Sequence, residues 1–159
     1  MRNNHGFTIW EVMTVIAIIG IIATFAVPGL LAPRGRAKVQ GSANNLRGDI
    51  NWAKMMAARE GAMVVLRFDS DSYQIFVDNN ADSAPTNWVL GPEDRQLRTR
   101  QMSAGVAMDA SDLPDNVMRF NRRGLPENLG PDNLGTIGLA GISDSRQIQI
   151  NMVGLIDVQ

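Results

Sequence analysis

A single carboxylate, Glu11, interrupts an otherwise apolar run over residues 7–27. As a helix this run is about 30 Å long, the thickness of the hydrocarbon core of a bilayer. A carboxylate near the bilayer centre costs on the order of 3 kcal/mol, so it needs a partner or a position near the surface. Glu11 therefore has two alternative roles. It forms a charge pair in a low-dielectric helix bundle, or its side chain extends to the membrane–water interface.

A second group of candidate ligands is the stretch DNNAD, in which Asp78, Asn80 and Asp82 alternate. This oxygen-rich spacing opens many calcium loops. Ser83 stands where such a loop needs glycine, and no bidentate glutamate follows at the required distance. The pattern favours a polar hairpin tip over a metal site.

Arginines form a third candidate site, for phosphate groups. The short run Arg95, Arg98 and Arg100 is followed by the pair Arg122 and Arg123. The whole chain carries 15 basic and 16 acidic residues, a formal net charge of −1, and exerts no general attraction on nucleic acid. A solvated face is the usual explanation of such a run, and a phosphate-binding patch is the functional alternative.

Composition excludes most catalytic sites. The chain has no cysteine, and its one histidine, His5, precedes the apolar run. Thiol nucleophiles, disulfides and Cys/His zinc sites are therefore excluded. The sequence shows no set of nucleophile, base and orienting residue, so we expect neither an enzyme nor a cofactor.

A long helix must position the N-terminal residues. Pro28, Gly29 and Pro33 follow the apolar run and predict a kink or local melting. A helix over 37–60 is predicted next, with Gly61 as its stop. Its apolar positions recur every four or three residues and lie at Val39, Ala43, Leu46, Ile50, Ala53 and Ala57.

The pattern after Gly61 changes to strands. The runs 63–68 and 73–77 predict a β-hairpin. Further strands are predicted at 88–90, 96–102, 106–108, 117–120, 136–139 and 147–158, the last with a break at Gly154. The expected fold class is α+β: a long N-terminal helix with a transmembrane first half, packed on an antiparallel β-sheet head. The head covers 34–159, with its sheet over 62–158.

The N-terminus resembles the type III signal of type IV prepilins and type II secretion pseudopilins. The string Gly6-Phe7-Thr8-Ile9-Trp10-Glu11 has the family's Gly-Phe junction and its glutamate four residues later. The resemblance implies a cut between Gly6 and Phe7 by the membrane prepilin peptidase, which also methylates the new Phe7 amine. Residues 1–6 would be the leader and 7–33 the transmembrane and assembly helix. Pro28 falls where many pilin helices have proline.

The resemblance also implies that Glu11 is the assembly glutamate. Cleavage leaves a positive α-amine, and Glu11 of a subunit in the filament can pair with the Phe7 amine of the incoming subunit. A secretory signal peptide cut after Ala26 is the alternative, and the charge of Glu11 and the length of the apolar run argue against it. Arg34, Arg36 and Lys38 follow the run, so the charge distribution does not support a cytoplasmic N-terminus.

The rest of the chain resembles the GspH/FimT group of pseudopilins and minor pilins. The likeness lies in Ala57-Ala58-Arg59-Glu60, in the turn Phe120-Asn121-Arg122-Arg123-Gly124, and in Gln147-Ile148-Gln149-Ile150 continuing to Gly154. Members that take part in DNA uptake have a Gly-Arg-x-Arg element near the C-terminus. Gly154, Leu155, Ile156 and Asp157 stand here, so both arginines are lost and nucleic acid is not the expected partner.

Together these resemblances imply a structural subunit, a minor pilin or minor pseudopilin. Its expected partners are other pilin or pseudopilin subunits, the prepilin peptidase, the inner-membrane assembly platform and the lipid bilayer. The expected location is the inner membrane, in a single pass with the head in the periplasm, and then the filament. A DNA-uptake pilin and a major pilin are the alternatives, and the parent machine stays open among pilus, type II secretion and competence systems.

Overall fold

A computed structural model describes residues 7–79 and 88–159, with the side chains of 25–33 left out. The chain divides into two compact units, Met1–Arg34 and Gly35–Gln159. Helix α1, Ile9–Glu60, contributes residues to both units. The predicted leader, residues 1–6, lies outside the described residues, as do Asn80 and Asp82.

The described part of the first unit is apolar helix. Two threonines in it bond within the helix: the Thr14 hydroxyl donates to the Trp10 carbonyl at 2.8 Å and the Thr24 hydroxyl to the Gly20 carbonyl at 2.9 Å. These polar groups therefore need no partner outside the helix. Searched over the described residues alone, no helix qualifies as long and apolar enough to cross a membrane, and the transmembrane assignment of 7–33 stays a prediction.

α1 is continuous through Pro28 and Pro33, so of the two expected outcomes local melting is wrong and a kink stays a prediction. Each proline removes one backbone donor and crowds the preceding turn, which bends a long helix more readily than it unwinds it. The helix ends where predicted. Gly61 has φ +61° and the Ala62 amide donates to the Ala57 carbonyl at 3.3 Å, a C-terminal cap that glycine adopts without steric cost.

The head half of α1 packs on two antiparallel sheets. The first has the order β3-β2-β1-β5-β6, with β1 Met63–Phe68, β2 Ser72–Asp78, β3 Arg95–Gln101, β5 Val117–Phe120 and β6 Pro126–Glu127. The second has the order β4-β7-β8-β9, with β4 Ala107–Asp109, β7 Leu134–Ala140, β8 Ser145–Asn151 and β9 Ile156–Val158. The predicted stripe of α1 is buried in the core: Val39, Ala43, Leu46, Ile50, Ala53 and Ala57 are all 0% exposed.

Two features of the head differ from the sequence prediction. The sequence predicts one sheet, whereas the structure has two sheets that share one hydrophobic core. Residues 88–90 form no strand: Trp88 has φ 42°, and Trp88 and Leu90 cover Val65, Phe76 and Val117 on the far face of the first sheet. An apolar pair on a segment that caps a sheet face gives the same sequence signal as a short strand, which explains the error.

Two turns of the head have the same sequence pattern, Asn-x-x-Gly-Leu, and the same hydrogen bonds. In 121–125 the Asn121 side-chain oxygen accepts from the amides of Arg123 at 2.9 Å and Leu125 at 3.1 Å. In 151–155 the Asn151 oxygen accepts from the amides of Val153 at 3.1 Å and Leu155 at 2.9 Å. The glycines, Gly124 and Gly154, have φ +73° and +79°. The turn at 151–155 divides the predicted last strand into β8 and β9.

We predict that Gly124→Ala destabilises the chain. Gly124 has positive φ, and a Cβ there would lie 2.9 Å from the Lys54 backbone oxygen, which cannot move aside. The expected loss is on the order of 1–3 kcal/mol. The matched control is Gly48→Ala, at a helical position with nothing within 4 Å, where we expect a gain of about 0.5–1 kcal/mol. Urea-dependent proteolysis of the detergent-extracted chain measures both, and equal stability of the two variants would contradict the assigned turn.

Candidate functional site

The first turn of α1 is a capping box built by Thr8 and Glu11. The Glu11 amide donates to the Thr8 side-chain oxygen at 3.3 Å. In return, Glu11 Oε2 accepts from the Thr8 amide at 3.1 Å and from the Thr8 hydroxyl at 3.2 Å. This arrangement satisfies amide groups that the helix start leaves without intrahelical partners. Glu11 therefore has a local structural role besides any role in assembly.

Sequence reasoning missed the part played by Thr8. The signal was present, because Thr-x-x-Glu ahead of an apolar run is a sequence mark of a helix N-terminus. Phe7 precedes the cap and is 88% exposed. The structure thus places Phe7 and Glu11 at one helix end, while Gly6 lies outside the described residues and Pro28 lies in the continuous helix.

Exposed apolar side chains surround this helix end and continue along α1. Between Phe7 and Ile22 the exposed large residues are Phe7, Ile9, Trp10, Val12, Met13, Val15, Ile16, Ile18, Ile19, Ile21 and Ile22, with exposed fractions from 48% to 88%. Soluble proteins rarely expose so large a continuous apolar surface without a membrane or a protein partner to cover it. The segment has the surface of an assembly or membrane element.

The predicted basic run is held by carboxylates of α1. Asp49 is buried, and it accepts from Arg98, from Arg100 Nε at 2.8 Å and from the Tyr73 hydroxyl at 2.6 Å. The bond with Asp49 raises the pKa of Arg100. Arg98 also lies over the Trp52 ring, 4.4 Å from its centroid, and Arg95 pairs with Glu60. The run therefore fastens edge strand β3 to α1.

The structure does not join these arginines to Arg122 and Arg123. The pair occupies the turn 121–125 between β5 and β6, and β2 and β1 separate β3 from β5. At about 4.8 Å per strand the spacing is about 14 Å. Arg119 on β5 stacks on Trp88 at 3.9 Å, and Arg146 lies 3.5 Å from Asp144 on the second sheet. No single basic patch forms from these residues.

The calcium candidate lies mostly outside the described residues. Asp78 ends β2, whereas Asn80 and Asp82 fall in 80–87. Within 7–79 and 88–159, no group of three His, Cys, Asp or Glu side chains could hold a metal ion. The hairpin-tip interpretation and its metal alternative both stay predictions.

Tyr73, the only tyrosine of the chain, gives a direct test of the Asp49 cluster. Burial and the bond to Asp49 raise the pKa of its hydroxyl far above the usual 10.0. The unfolded chain therefore releases the Tyr73 proton above about pH 10 while the folded head retains it, and stability falls as the pH rises beyond that point. We predict no tyrosinate absorbance near 295 nm until the head unfolds.

Tyr73→Phe is the control for this titration. It removes the alkaline absorbance change and leaves Asp49 with both arginines, so we expect a loss of about 1–2 kcal/mol. A tyrosinate signal at pH 10 from a chain that stays folded by circular dichroism would show that the Tyr73–Asp49 bond is absent.

Comparison with known families agrees with both parts of the chain. The model of the family described as Type II transport protein GspH matches residues 42–154. The model of the prokaryotic N-terminal methylation motif matches residues 1–27. The second match includes the capping box and the exposed apolar half of α1.

Curated relatives include two type II secretion system core proteins G. That of Aeromonas hydrophila is 29% identical over 140 residues, which cover 88% of this chain and 86% of the relative. That of Vibrio cholerae is 33% identical over 98 residues, or 62% of this chain, and the alignment spans 59% of the relative's length.

Two solved structures have a similar fold. The type IV minor pilin FimU of Pseudomonas aeruginosa superposes with a TM-score of 0.55 at 16% identity, covering 78% of this chain and 90% of FimU. The minor pseudopilin EpsH of Vibrio cholerae superposes with a TM-score of 0.55 at 11% identity, covering 77% of this chain and 96% of EpsH. The expected pilin-like α+β fold is confirmed, and the chain belongs to the family of the type II transport protein GspH.

Proposed function

We propose that this chain is a minor structural subunit of a type II secretion pseudopilus or a type IV pilus, which assembles through the first half of α1. The observation that carries the proposal is the exposed apolar surface of α1 between Phe7 and Ile22, with Glu11 as its only charge. The GspH family match and the folds of EpsH and FimU support a filament subunit. An enzymatic role has no support from the family.

The membrane and then the filament would cover the apolar surface in turn. A bilayer accommodates an apolar helix before assembly, and neighbouring subunits' helices replace the lipid afterwards. The proposed partners are therefore the lipid bilayer, other pilin or pseudopilin subunits, the prepilin peptidase and the assembly platform. The proposed location is the inner membrane, with the head in the periplasm.

Glu11 would contribute a charge for docking. Both Thr8 bonds go to Oε2, which leaves Oε1 as an acceptor for the α-amine of a neighbouring subunit's Phe7. In a low-dielectric bundle the attraction between carboxylate and amine is strong at short range. The capping box limits the rotamers of Glu11, so less side-chain entropy is lost when the pair forms.

Processing at Gly6 is the first test of the proposal. We expect mass spectrometry of membrane-extracted protein to find a mature chain that begins at methylated Phe7. Gly6→Val should leave the leader attached, because the peptidase would no longer find the small residue before the cut. A mature N-terminus at Val27 would instead assign the segment to a secretory signal peptide.

Three variants separate the charge of Glu11 from its capping role. Glu11→Gln keeps the capping box, since glutamine also bonds the cap amide, but removes the charge. Glu11→Ala removes both, and Thr8→Val removes the cap hydroxyl and keeps the charge. We expect Glu11→Gln and Glu11→Ala to reduce incorporation of the subunit into filaments about tenfold or more, because the incoming amine would be left buried and unpaired. We expect Thr8→Val to reduce it much less.

The measurement is the amount of subunit in sheared filaments, compared at equal membrane levels with leader cleavage verified. If Glu11→Gln assembles normally and Thr8→Val does not, capping rather than charge is the role of Glu11. If all three variants assemble normally, the glutamate is not an assembly determinant.

A further inference from the structure

Three segments of the head meet where its part of α1 begins. A Cβ added at Gly35 would lie 2.7 Å from the Ser143 side-chain oxygen, so the tip of the β7–β8 hairpin, residues 141–144, touches the helix there. The Lys38 ammonium donates to the Ala104 carbonyl at 3.0 Å and so brings a loop to the same place. We call the exposed side of these segments, 35–38, 103–105 and 141–144, the entry surface.

Ile142 extends from the entry surface into solvent. Its side chain is 97% exposed, the largest exposed fraction of any large apolar residue in the described part of the chain. It lies at the tip of a hairpin, a position that glycine and small polar residues usually occupy. A single exposed isoleucine is ordinary on a protein surface, so its meaning depends on the residues beside it.

The same surface carries two cations, Arg36 and Lys38. Both are exposed, and within 7–79 and 88–159 neither forms an ion pair. Asp144 is the only carboxylate in the three segments, and its Oδ2 lies 3.5 Å from Arg146 Nε, which balances its charge. The entry surface is therefore basic around one apolar tip, the combination that binds the headgroup region of anionic membranes.

Chain order puts the entry surface directly after the predicted membrane segment. A helix over 7–33 is about 40 Å long, the thickness of a bilayer with its headgroups. Arg36 comes within the next turn of α1, and a long basic side chain at that level reaches lipid phosphates.

A bilayer contact also explains charges that membrane topology leaves unexplained. Arg34, Arg36 and Lys38 follow the apolar run, which is the wrong side for the positive-inside rule if the head is periplasmic. These cations therefore do not help to orient the segment. Binding of anionic headgroups gives Arg36 and Lys38 a different role at that side of the membrane.

We propose that the entry surface binds the anionic phospholipid surface of the bilayer that holds the apolar half of α1. Ile142 inserts among the headgroups, and Arg36 and Lys38 contact lipid phosphates. The inference rests on the proposed membrane location and does not depend on which subunits are neighbours in a filament. The contact holds the head against the membrane before assembly, and it breaks when the subunit leaves the bilayer.

Fluorescence quenching tests the contact in the full-length chain reconstituted in lipid vesicles. The chain has no cysteine, so Ala104→Cys gives one labelling site on the entry surface and keeps Arg36, Lys38 and Ile142. The quencher is a spin label on lipid headgroups. We expect quenching about fivefold stronger in phosphatidylcholine vesicles with phosphatidylglycerol than without it, the effect of one basic residue near an anionic surface. High salt should remove the difference.

Two variants of the labelled chain separate the cations from the apolar tip. R36E with K38E reverses both charges, and we expect it to abolish the dependence on phosphatidylglycerol. Ile142→Ser keeps the charges, and we expect it to weaken quenching several-fold because the apolar contact is lost. All three side chains are exposed, so the fold should persist, which circular dichroism verifies. Phosphatidylglycerol dependence that survives in R36E with K38E would overturn the assignment of the lipid contact.

Met152→Cys is the matched control in the head. Met152 is also exposed and apolar, at 58%, and its turn is held by the Lys54 ammonium, which donates to the Gly154 carbonyl at 3.0 Å. About 28 Å of helix separates Lys54 from Gly35, so we expect little quenching of a label at 152 in either kind of vesicle. Quenching there as strong as at Ala104→Cys would show that the entry surface is not the side that meets the bilayer.

A label at Ile16→Cys separates this inference from the proposed function. Ile16 lies in the apolar half of α1, and a spin label on the lipid acyl chains should quench a fluorophore there if that half lies in the bilayer. If this label is quenched and the one at Ala104→Cys does not respond to phosphatidylglycerol, the head contact is wrong while membrane insertion stands. If the Ile16→Cys label is not quenched, the proposed membrane location fails together with this inference.

Discussion

The whole head depends on burial of one stripe of α1. Val39, Ala43, Leu46, Ile50, Ala53 and Ala57 are fully buried by inner faces of both sheets. Burying a valine, leucine or isoleucine side chain contributes about 1.5–3 kcal/mol, so the larger members of the stripe bind the helix to the sheets. The alanines let the strands approach the helix closely. Because the stripe faces two sheets at once, neither sheet has a complete core without α1.

The Asp49 cluster fixes the register of α1 on the first sheet, which apolar packing alone does not do. Apolar contacts alone leave a helix some freedom to rotate or slide over a sheet, whereas Asp49 must meet Arg98, Arg100 and Tyr73 together. A buried carboxylate that lost these partners would cost several kcal/mol, so alternative registers of α1 against β2 and β3 are disfavoured. Edge strand β3 also gains protection, because arginines on an edge oppose pairing with another chain.

The sequence was sufficient to predict the elements whose apolar residues recur at a clear spacing. The stripe of α1, its end at Gly61, the hairpin of β1 and β2 and the strand β5 are where the pattern predicts them. The division into two sheets was not predictable, because strand alternation reports which face is buried and not which strand is the neighbour. β6, Pro126–Glu127, has only two residues and no period to detect.

For the candidate sites too, the sequence shows local patterns but not contacts between residues far apart in the chain. The apolar run and Glu11 are local in sequence and could be identified at once. Pairing of Asp49 with Arg98 and Arg100 joins residues about fifty positions apart, and a basic run looks the same whether its partners are water, phosphate or a buried carboxylate. The nucleic-acid candidate arose from that ambiguity, and the carboxylates of α1 give these arginines a structural explanation.

The proposed double role of Glu11, as a helix cap and as an assembly charge, follows from its position at a helix start. A carboxylate in the first turn interacts favourably with the positive end of the helix dipole and with amides that have no helical acceptor. The two Thr8 bonds hold the Glu11 side chain at the helix start within its own chain. A glutamate one turn further along would lose both the Thr8 bonds and the free backbone donors of the helix start. In the proposed assembly the incoming amine would bind Oε1, because both Thr8 bonds go to Oε2. The helix terminus therefore gives the Glu11 carboxylate two bonds to Thr8 within its own chain, and the proposed assembly uses the oxygen that those bonds leave free.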